Sequence, residues 1–419
     1  MKLLNQPLDG CLGDYLLKLI NSRKYKTLNI IVAFAKNSGV LKIKEALQNF
    51  RSQGGKVNVI VGVDMTVTSY EALFNLLSIT DALNVVHVEN SITFHSKIYH
   101  FIGKEEHTFI IGSNNLTTGG LWTNFESTVI VDVNTENKTE LDISNQLIGY
   151  FEQLTDSNHG LCRKITTQAD LQELLDNRYV LKEVRIQINN IDLKEKSNNK
   201  KQKKLFGTNL GALKSVKKIP NNLKYNKVAP LNIQPSTANP LIIGNNKDDV
   251  IWFQTGKMTG GSRNILDLSK TSLVEKGNFK GTTYDIGEKS IIKGAVEFFG
   301  LNPYTVNQRK NIIINYKGVD YKDNIILYPD GDKANGTWRL QIKGVDSNNH
   351  KITEVLRADA KLEDQTHFLV EKIICFTRIG SAYYSMSIFP IQDLKKFKKA
   401  SSILARNGRS SNARYMGIL

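Results

Sequence analysis

The 419-residue chain predicts two unlike halves: an α/β N-terminal domain with a mixed sheet flanked by helices, and a mostly-β C-terminal domain. Three observations predict it. Short apolar runs alternate with helical periodicity in the first half. A lysine-rich and then proline-dotted stretch interrupts the middle. Beyond it, strand-length runs recur between glycine and asparagine turns. A chain of this length exceeds one ordinary domain, so two domains and a connector fit.

In order, LNIIVAFA (28–35) is short and apolar, as a buried strand is. Ile43, Ala46, Leu47 and Phe50 then recur on one helical face. VNVIVGV (57–63) predicts a second buried strand, residues 70–78 a second helix, and LNVVHV (83–88) a third strand. This rhythm is that of a sheet with parallel members. Three closely spaced strands follow, at 96–102, 108–112 and 126–133. Residues 140–181 read as helical and RIQINNIDL (185–193) as a strand.

From Lys194 to Lys227 there are eleven lysines against the single acid Glu195, followed by Pro230, Pro235 and Pro240. This composition describes an extended basic linker, placed at 191–248 between a domain at 1–190 and one at 249–400. In the second domain NIIINY (311–316), NIILYP (324–329), TWRLQI (337–342) and HFLVEKI (367–373) predict strands, and 293–299 a helix. Residues 401–419, with Arg406, Arg409 and Arg414, read as a basic tail that touches phosphate or is disordered.

Lysine and arginine total 56 against 40 acids, a formal charge of +16. Such a balance favours a polyanionic partner, nucleic acid first and an anionic membrane surface second. No run of about 18 apolar residues exists, so no membrane span is expected. Asp9 and Asp14 interrupt the N-terminal apolar stretch where a signal peptide would be continuous. Cys11, Cys162 and Cys375 are odd in number and far apart, which fits a reducing cytoplasm and no disulfide framework.

The chemistry concentrates in FHSKIYHFIGKEEHTFIIGSNNLTTGG (94–120). On a strand, His95 and Lys97 would face the same side. Phosphodiester cleavage without a metal needs a nucleophile, an acid for the leaving oxygen, and cations over the non-bridging oxygens. Imidazole titrates near neutrality and suits the first two roles; an ammonium suits the third. A Gly-Ser-Asn turn adds donors for phosphate. The bland alternative is a half-buried histidine in a strand, but its company with GSNN and an acid on the next strand favours a site.

His95-Ser96-Lys97, then Gly112-Ser113-Asn114-Asn115, then Glu126, resembles the phospholipase D superfamily, whose motif is HxK, a gap, GSxN and a downstream Glu. That family carries Asp five residues after the Lys; this chain has Ile102, a departure frequent in nuclease members, which leans away from lipid substrates. The resemblance implies a phosphohistidine intermediate, two HxK motifs per site, and no metal or other cofactor. His95 would be nucleophile in one subunit and acid/base in the other. Lys97, Ser113 and Asn115 would grip the phosphate and Glu126 orient an imidazole. No other histidine is followed by lysine two residues on, so the resemblance implies a homodimer that shares one site.

The one-motif domain followed by a basic, mostly-β domain also resembles the BfiI/NgoFVII group of restriction endonucleases. There the second domain is a B3-like pseudobarrel reading the DNA major groove through two arms. GKMTGGSRNILDLS (256–269) resembles the first arm and DGDKANGTWRL (330–340) the second. Arg263 and Asn264 are the residue types that pair bidentately with guanine and adenine. Lys333, Asn335, Trp338 and Arg339 complete the candidate readers. The ordinary reading is also open: Asp-Gly and Asn-Gly are turn signals, and a lone Trp is commonly core. PDGDK (329–333) lacks the spacing of a metal-dependent nuclease and the final glutamate of a calcium loop, and reads as a turn.

These readings converge on a metal-independent, sequence-specific DNA endonuclease of the restriction type. Its expected partners are double-stranded DNA, a second copy of the chain, a cognate DNA methyltransferase and, as in some relatives, a separate ATP-dependent helicase-like subunit. Two alternatives compete. A phospholipid phosphodiesterase or transferase would want two HxK motifs and an apolar membrane-facing surface. A non-catalytic DNA-binding protein would use the first domain only to dimerise, which the intact set from His95 to Glu126 disfavours.

Overall fold

The computed structural model describes residues 1–90, 92–197, 250–257, 263–268, 271–292, 296–329, 336–407 and 413–419. The first part is an eight-stranded mixed sheet. Its elements are β1 (Lys2–Gln6), α1 (Leu12–Ile20), β2 (Tyr25–Val32), α2 (Asn37–Ser52), β3 (Lys56–Gly62), α3 (Tyr70–Ile79), β4 (Ala82–Val86), β5 (Lys97–Gly103), β6 (Glu106–Gly112), β7 (Glu126–Asn134), α4 (Lys138–Thr155), β8 (Cys162–Ile165), α5 (Gln168–Asp176) and α6 (Glu183–Ser197). The strand order is β1-β7-β6-β5-β2-β3-β4-β8, with β2-β3 and β3-β4 parallel and the other pairs antiparallel.

The apolar runs lie at the centre because both faces there are covered. One face packs on α2 through Val40, Ile43, Leu47 and Phe50, all buried. The Ser69 hydroxyl accepts the Ala72 amide and starts α3. On the other face Ile31, Ile60, Val86 and Ile98 pack against Leu147, Tyr150, Phe151 and Leu154 of α4.

That second face has an uncovered half. Ile98 pairs in register with Ile111, Ile111 with Val129, and Val129 with Leu3. Ile98 is 8% exposed beneath α4, but Ile111, Val129 and Leu3 are 42%, 37% and 57% exposed, and Phe125 nearby in sequence is 58% exposed. An apolar row therefore runs out from under the helix into solvent.

The second part is strand-rich, an eleven-stranded sheet curled into a half-barrel. Its elements are β9 (Val250–Gln254), β10 (Ile265–Asp267), β11 (Ser272–Lys276), β12 (Ile291–Ile292), β13 (Arg309–Tyr316), β14 (Val319–Leu327), β15 (Arg339–Gln341), α7 (Ile352–Leu362), β16 (Lys372–Arg378), β17 (Tyr383–Pro390), α8 (Leu394–Ala400), β18 (Ile403–Arg406) and β19 (Tyr415–Ile418). Its order is β10-β15-β14-β13-β17-β16-β9-β19-β18-β11-β12. Lys317 and Gly318 both have positive φ and turn β13 into β14.

That turn docks on the first part. A Cβ on Gly318 would fall 2.9 Å from the Phe74 ring, and the Gly318 carbonyl accepts the buried Lys44 ammonium at 2.9 Å. Lys44 also pairs with Asp320 at 2.8 Å; Asn37 bonds Ser385 and Asn75 bonds Asn315.

Several expectations need correcting. Residues 185–193 are helical within α6. Ile186 and Ile188 imitate a strand alternation, yet Val184, Ile188 and Ile191 follow helical spacing and pack with Trp252, Cys375 and Phe397. This helix runs to Ser197, past the expected linker start at 191, and its apolar side belongs to a core of the second part. Residues 140–181 are helical in α4 and α5, but edge strand β8 lies between them, after Gly160 at φ 68°. Residues 367–371 are not strand; β16 begins at Lys372, after Glu371 at positive φ. Of 293–299, Val296–Phe299 is a short 3₁₀ turn and 293–295 lie outside the described residues. Helices α7 and α8 were not anticipated, although Ile352, Val355, Leu356 and Ala360 carry helical spacing. The basic tail is structural: β19 lies between β9 and β18, inside the sheet. Arg406 pairs with Glu275. Most of the linker (198–248) lies outside the described residues, as does Arg409.

Candidate active site

The site forms where β5, β6 and β7 meet the loop before β5. The expectation that His95 stands on a strand fails: β5 starts at Lys97, and His95 is an exposed residue of the preceding loop. The two side chains still meet. The Lys97 ammonium lies 2.7 Å from His95 Nδ1 and donates to the His95 carbonyl at 2.7 Å. Lys97 is 7% exposed. Desolvation lowers its pKa, and the Glu126 carboxylate opposes that shift. With an ammonium donating to Nδ1, a neutral His95 ring keeps its proton on Nε2.

The turn after β6 supplies the next pieces. Ser113 donates to Glu126 Oε2 and accepts the Ser127 amide at 3.2 Å. Glu126 Oε1 takes the Asn124 amide at 3.2 Å. Within one chain Glu126 therefore holds Ser113 and Asn124. Asn115 Oδ1 accepts the Phe34 amide at 3.1 Å, and no partner among the described residues takes its Nδ2 group. That leaves an amide donor for an anion. Asn114 is 2% exposed and bonds Gly120 and Thr128, so it shapes the turn. Gly112 must lack a side chain because a Cβ would lie 2.5 Å from Ser127 O.

Sequence reasoning missed the groups around His95. Phe34 meets its ring edge-on, with centroids 5.9 Å apart. Asp64 accepts the Phe94 amide at 2.7 Å and pairs with His87 Nδ1 at 2.6 Å. Tyr150 bonds Ser96 at 2.9 Å. An acid just after a buried strand was the one available signal for Asp64; Tyr150 arrives through tertiary packing and left none.

The candidate DNA readers fare unevenly. Of the stretches 256–269 and 330–340, the described residues Leu266 and Asp267 pair in antiparallel register with Leu340 and Arg339, β10 against β15. Arg263 is exposed, Asn264 is half-buried, and Arg339 Nε lies 3.7 Å from Asp267. Lys333 and Asn335 lie outside the described residues. Trp338 is a correction: it is 0% exposed, packed on Tyr328 in the core, and has no face to offer a base. No helix among the described residues is long and apolar enough to cross a membrane.

Residues 16–155 match the family model described as cardiolipin synthase, PLD-like domain. Among solved structures, the chain is similar to Nuc from Salmonella typhimurium, a phospholipase D family member. Identity is 16% and the TM-score 0.31, over 40% of this chain and 97% of that one. NucT from Helicobacter pylori gives 17% identity and a TM-score of 0.30 over 39% and 97%. Phosphatidylserine synthase from Haemophilus influenzae Rd KW20 gives 12% and 0.32 over 46% of each chain. No curated protein matches the chain. The matched segment contains His95, Lys97, Ser113, Asn115 and Glu126, and the N-terminal part of the chain that holds it has mixed α/β architecture.

Proposed function

We propose that the chain is a metal-independent, sequence-specific DNA endonuclease of the restriction type, in which two copies share one active site and a B3-like C-terminal domain reads DNA. The observation that carries this reading is the juxtaposition of one His95–Lys97 pair with a Ser113–Glu126 pair, close enough for the Glu126 carboxylate to act on the Lys97 ammonium. One chain offers one imidazole there, and in-line displacement needs a nucleophile and an acid on opposite sides of phosphorus. The row Leu3–Val129–Ile111, on the same strands but on the sheet face opposite the Lys97 side chain, offers a second copy an apolar surface.

In the assembled site the phosphate draws the Lys97 ammonium away from Nδ1 and takes the Asn115 amide donor. The ring changes tautomer by exchange with water, giving up its proton at Nε2 and taking one at Nδ1, where that N–H donates to a carboxylate of the Glu126 type and Nε2 is left with its lone pair. Nε2 then bonds to phosphorus as the ester P–O bond breaks. The leaving oxygen takes a proton from the second copy's imidazolium. Water, deprotonated by that imidazole, next attacks phosphorus, and the P–N bond breaks to return both histidines. The +16 charge supplies salt-dependent attraction to the backbone.

The test is plasmid cleavage in EDTA by the wild-type protein and His95→Ala, with and without ATP and a helicase-like partner. Discrete fragments that vanish with His95→Ala support the reading. Cleavage that survives the substitution, or that EDTA abolishes, sinks it.

A further inference from the structure

His95 lies outside strand register, so no sheet ladder holds its backbone. Something else must keep its ring over Lys97 within hydrogen-bond reach. Two side chains from different elements grip the residues on either side of it. On the upstream side, Asp64, placed just after β3, accepts the Phe94 amide at 2.7 Å. Asp64 is itself 7% exposed, and its other oxygen lies 2.6 Å from His87 Nδ1. The Phe94 ring packs against the apolar face under α4, and it fits because residue 62 is glycine: a Cβ there would sit 2.9 Å from Phe94 Cδ1. On the downstream side, the Tyr150 hydroxyl of α4 lies 2.9 Å from Ser96 Oγ.

We propose that Asp64 and Tyr150 are positioning residues that hold the 94–96 loop so that the His95 imidazole is presented to phosphorus in one orientation. This rests on the reading of His95 as nucleophile. Neither group touches the reacting atoms; both act through the backbone and side chains next to His95. Each clamp joins the loop to a different layer, β3 for Asp64 and α4 for Tyr150, so losing one leaves a pivot about the other.

The test uses Tyr150→Phe, Ser96→Ala, the double variant and Asp64→Ala in the full-length protein. Two readouts are taken: steady-state phosphodiester cleavage, and the ring signals of histidine-labelled protein by NMR, with His95 assigned by His95→Ala. Each single variant is expected to lower kcat about tenfold with KM little changed. Tyr150→Phe and Ser96→Ala should not add in the double variant, because both delete the same bond. The His95 ring signal should shift or broaden in each variant while those of His159 and His350 stay put. A His95 signal that does not move in any variant overturns the proposal, whether or not the protein cuts DNA. Wild-type kcat in Tyr150→Phe and Ser96→Ala also overturns it. A wild-type protein whose cleavage ignores His95→Ala overturns instead the reading of His95 as nucleophile, and the ring signals then decide positioning by themselves.

Discussion

Ile111→Thr should weaken association of two copies without weakening the fold. The side chain is 42% exposed in the single chain, and Thr keeps the β-branched shape a strand favours. Fully burying such a side chain is worth about 1.5–3 kcal/mol, so covering the exposed 42% is worth about 0.6–1.3 kcal/mol per copy. Two-fold symmetry doubles this to about 1.3–2.5 kcal/mol, which is roughly 10- to 70-fold in the dimer dissociation constant. Sedimentation equilibrium over a dilution series reads that constant, and thermal unfolding of the monomer-rich sample checks the fold. Specific activity should fall at low protein concentration and recover as concentration rises. An unchanged dissociation constant with unchanged activity would refute the assignment of the Leu3–Val129–Ile111 row to a second copy.

Other outcomes follow from the same geometry. Lys97→Ala should cost roughly 10²–10³ in kcat, as removal of one transition-state donor does, and Lys97→Arg should not restore it. The seat between the His95 carbonyl and Nδ1 suits a compact ammonium, and steady-state kinetics of both variants checks this. His100 is buried, and burial, with His107 adding, holds its pKa down at about 4. An unfolded histidine titrates near about 6.5, so the unfolded state binds more protons between the two values. Stability from this group is therefore full above about pH 6.5 and falls by up to about 3 kcal/mol as pH drops toward 4. Urea unfolding at both ends should show that loss, and His100→Asn should flatten it. Trp338→Ala should lower stability by about 3–5 kcal/mol as a core deletion does, and Trp338→Phe should leave DNA affinity near wild type in a binding titration.

The central strands of the first sheet were legible because the cores of β2, β3 and β4 are buried on both faces and read as apolar runs interrupted by a single asparagine each, Asn29, Asn58 and Asn84. The HxK and GSNN segments were legible because polar residues at such spacing have a chemical reason to be there. What failed did so for local reasons. Ile186 and Ile188 are both buried, one on each side of α6, which mimics a strand. His95 reads as strand from its neighbours, yet the loop before β5 bends it out of register, held by Asp64 from thirty residues upstream. Tyr150 could not be linked to Ser96 without knowing that α4 crosses the sheet. In the second part, β18 and β19 are short, and the arginines in and between them look like a tail; only their pairing with β9 and β11 makes them core.

The claim that two chains share one site is tested most directly by subunit mixing. Wild-type and His95→Ala proteins are exchanged at equal amounts and fixed total concentration, and initial cleavage rates are compared with wild type alone. If every site needs both histidines, only wild-type pairs cut, and random pairing leaves about one quarter of the rate. A rate of about one half would mean that each chain carries a complete site of its own, and would contradict the account.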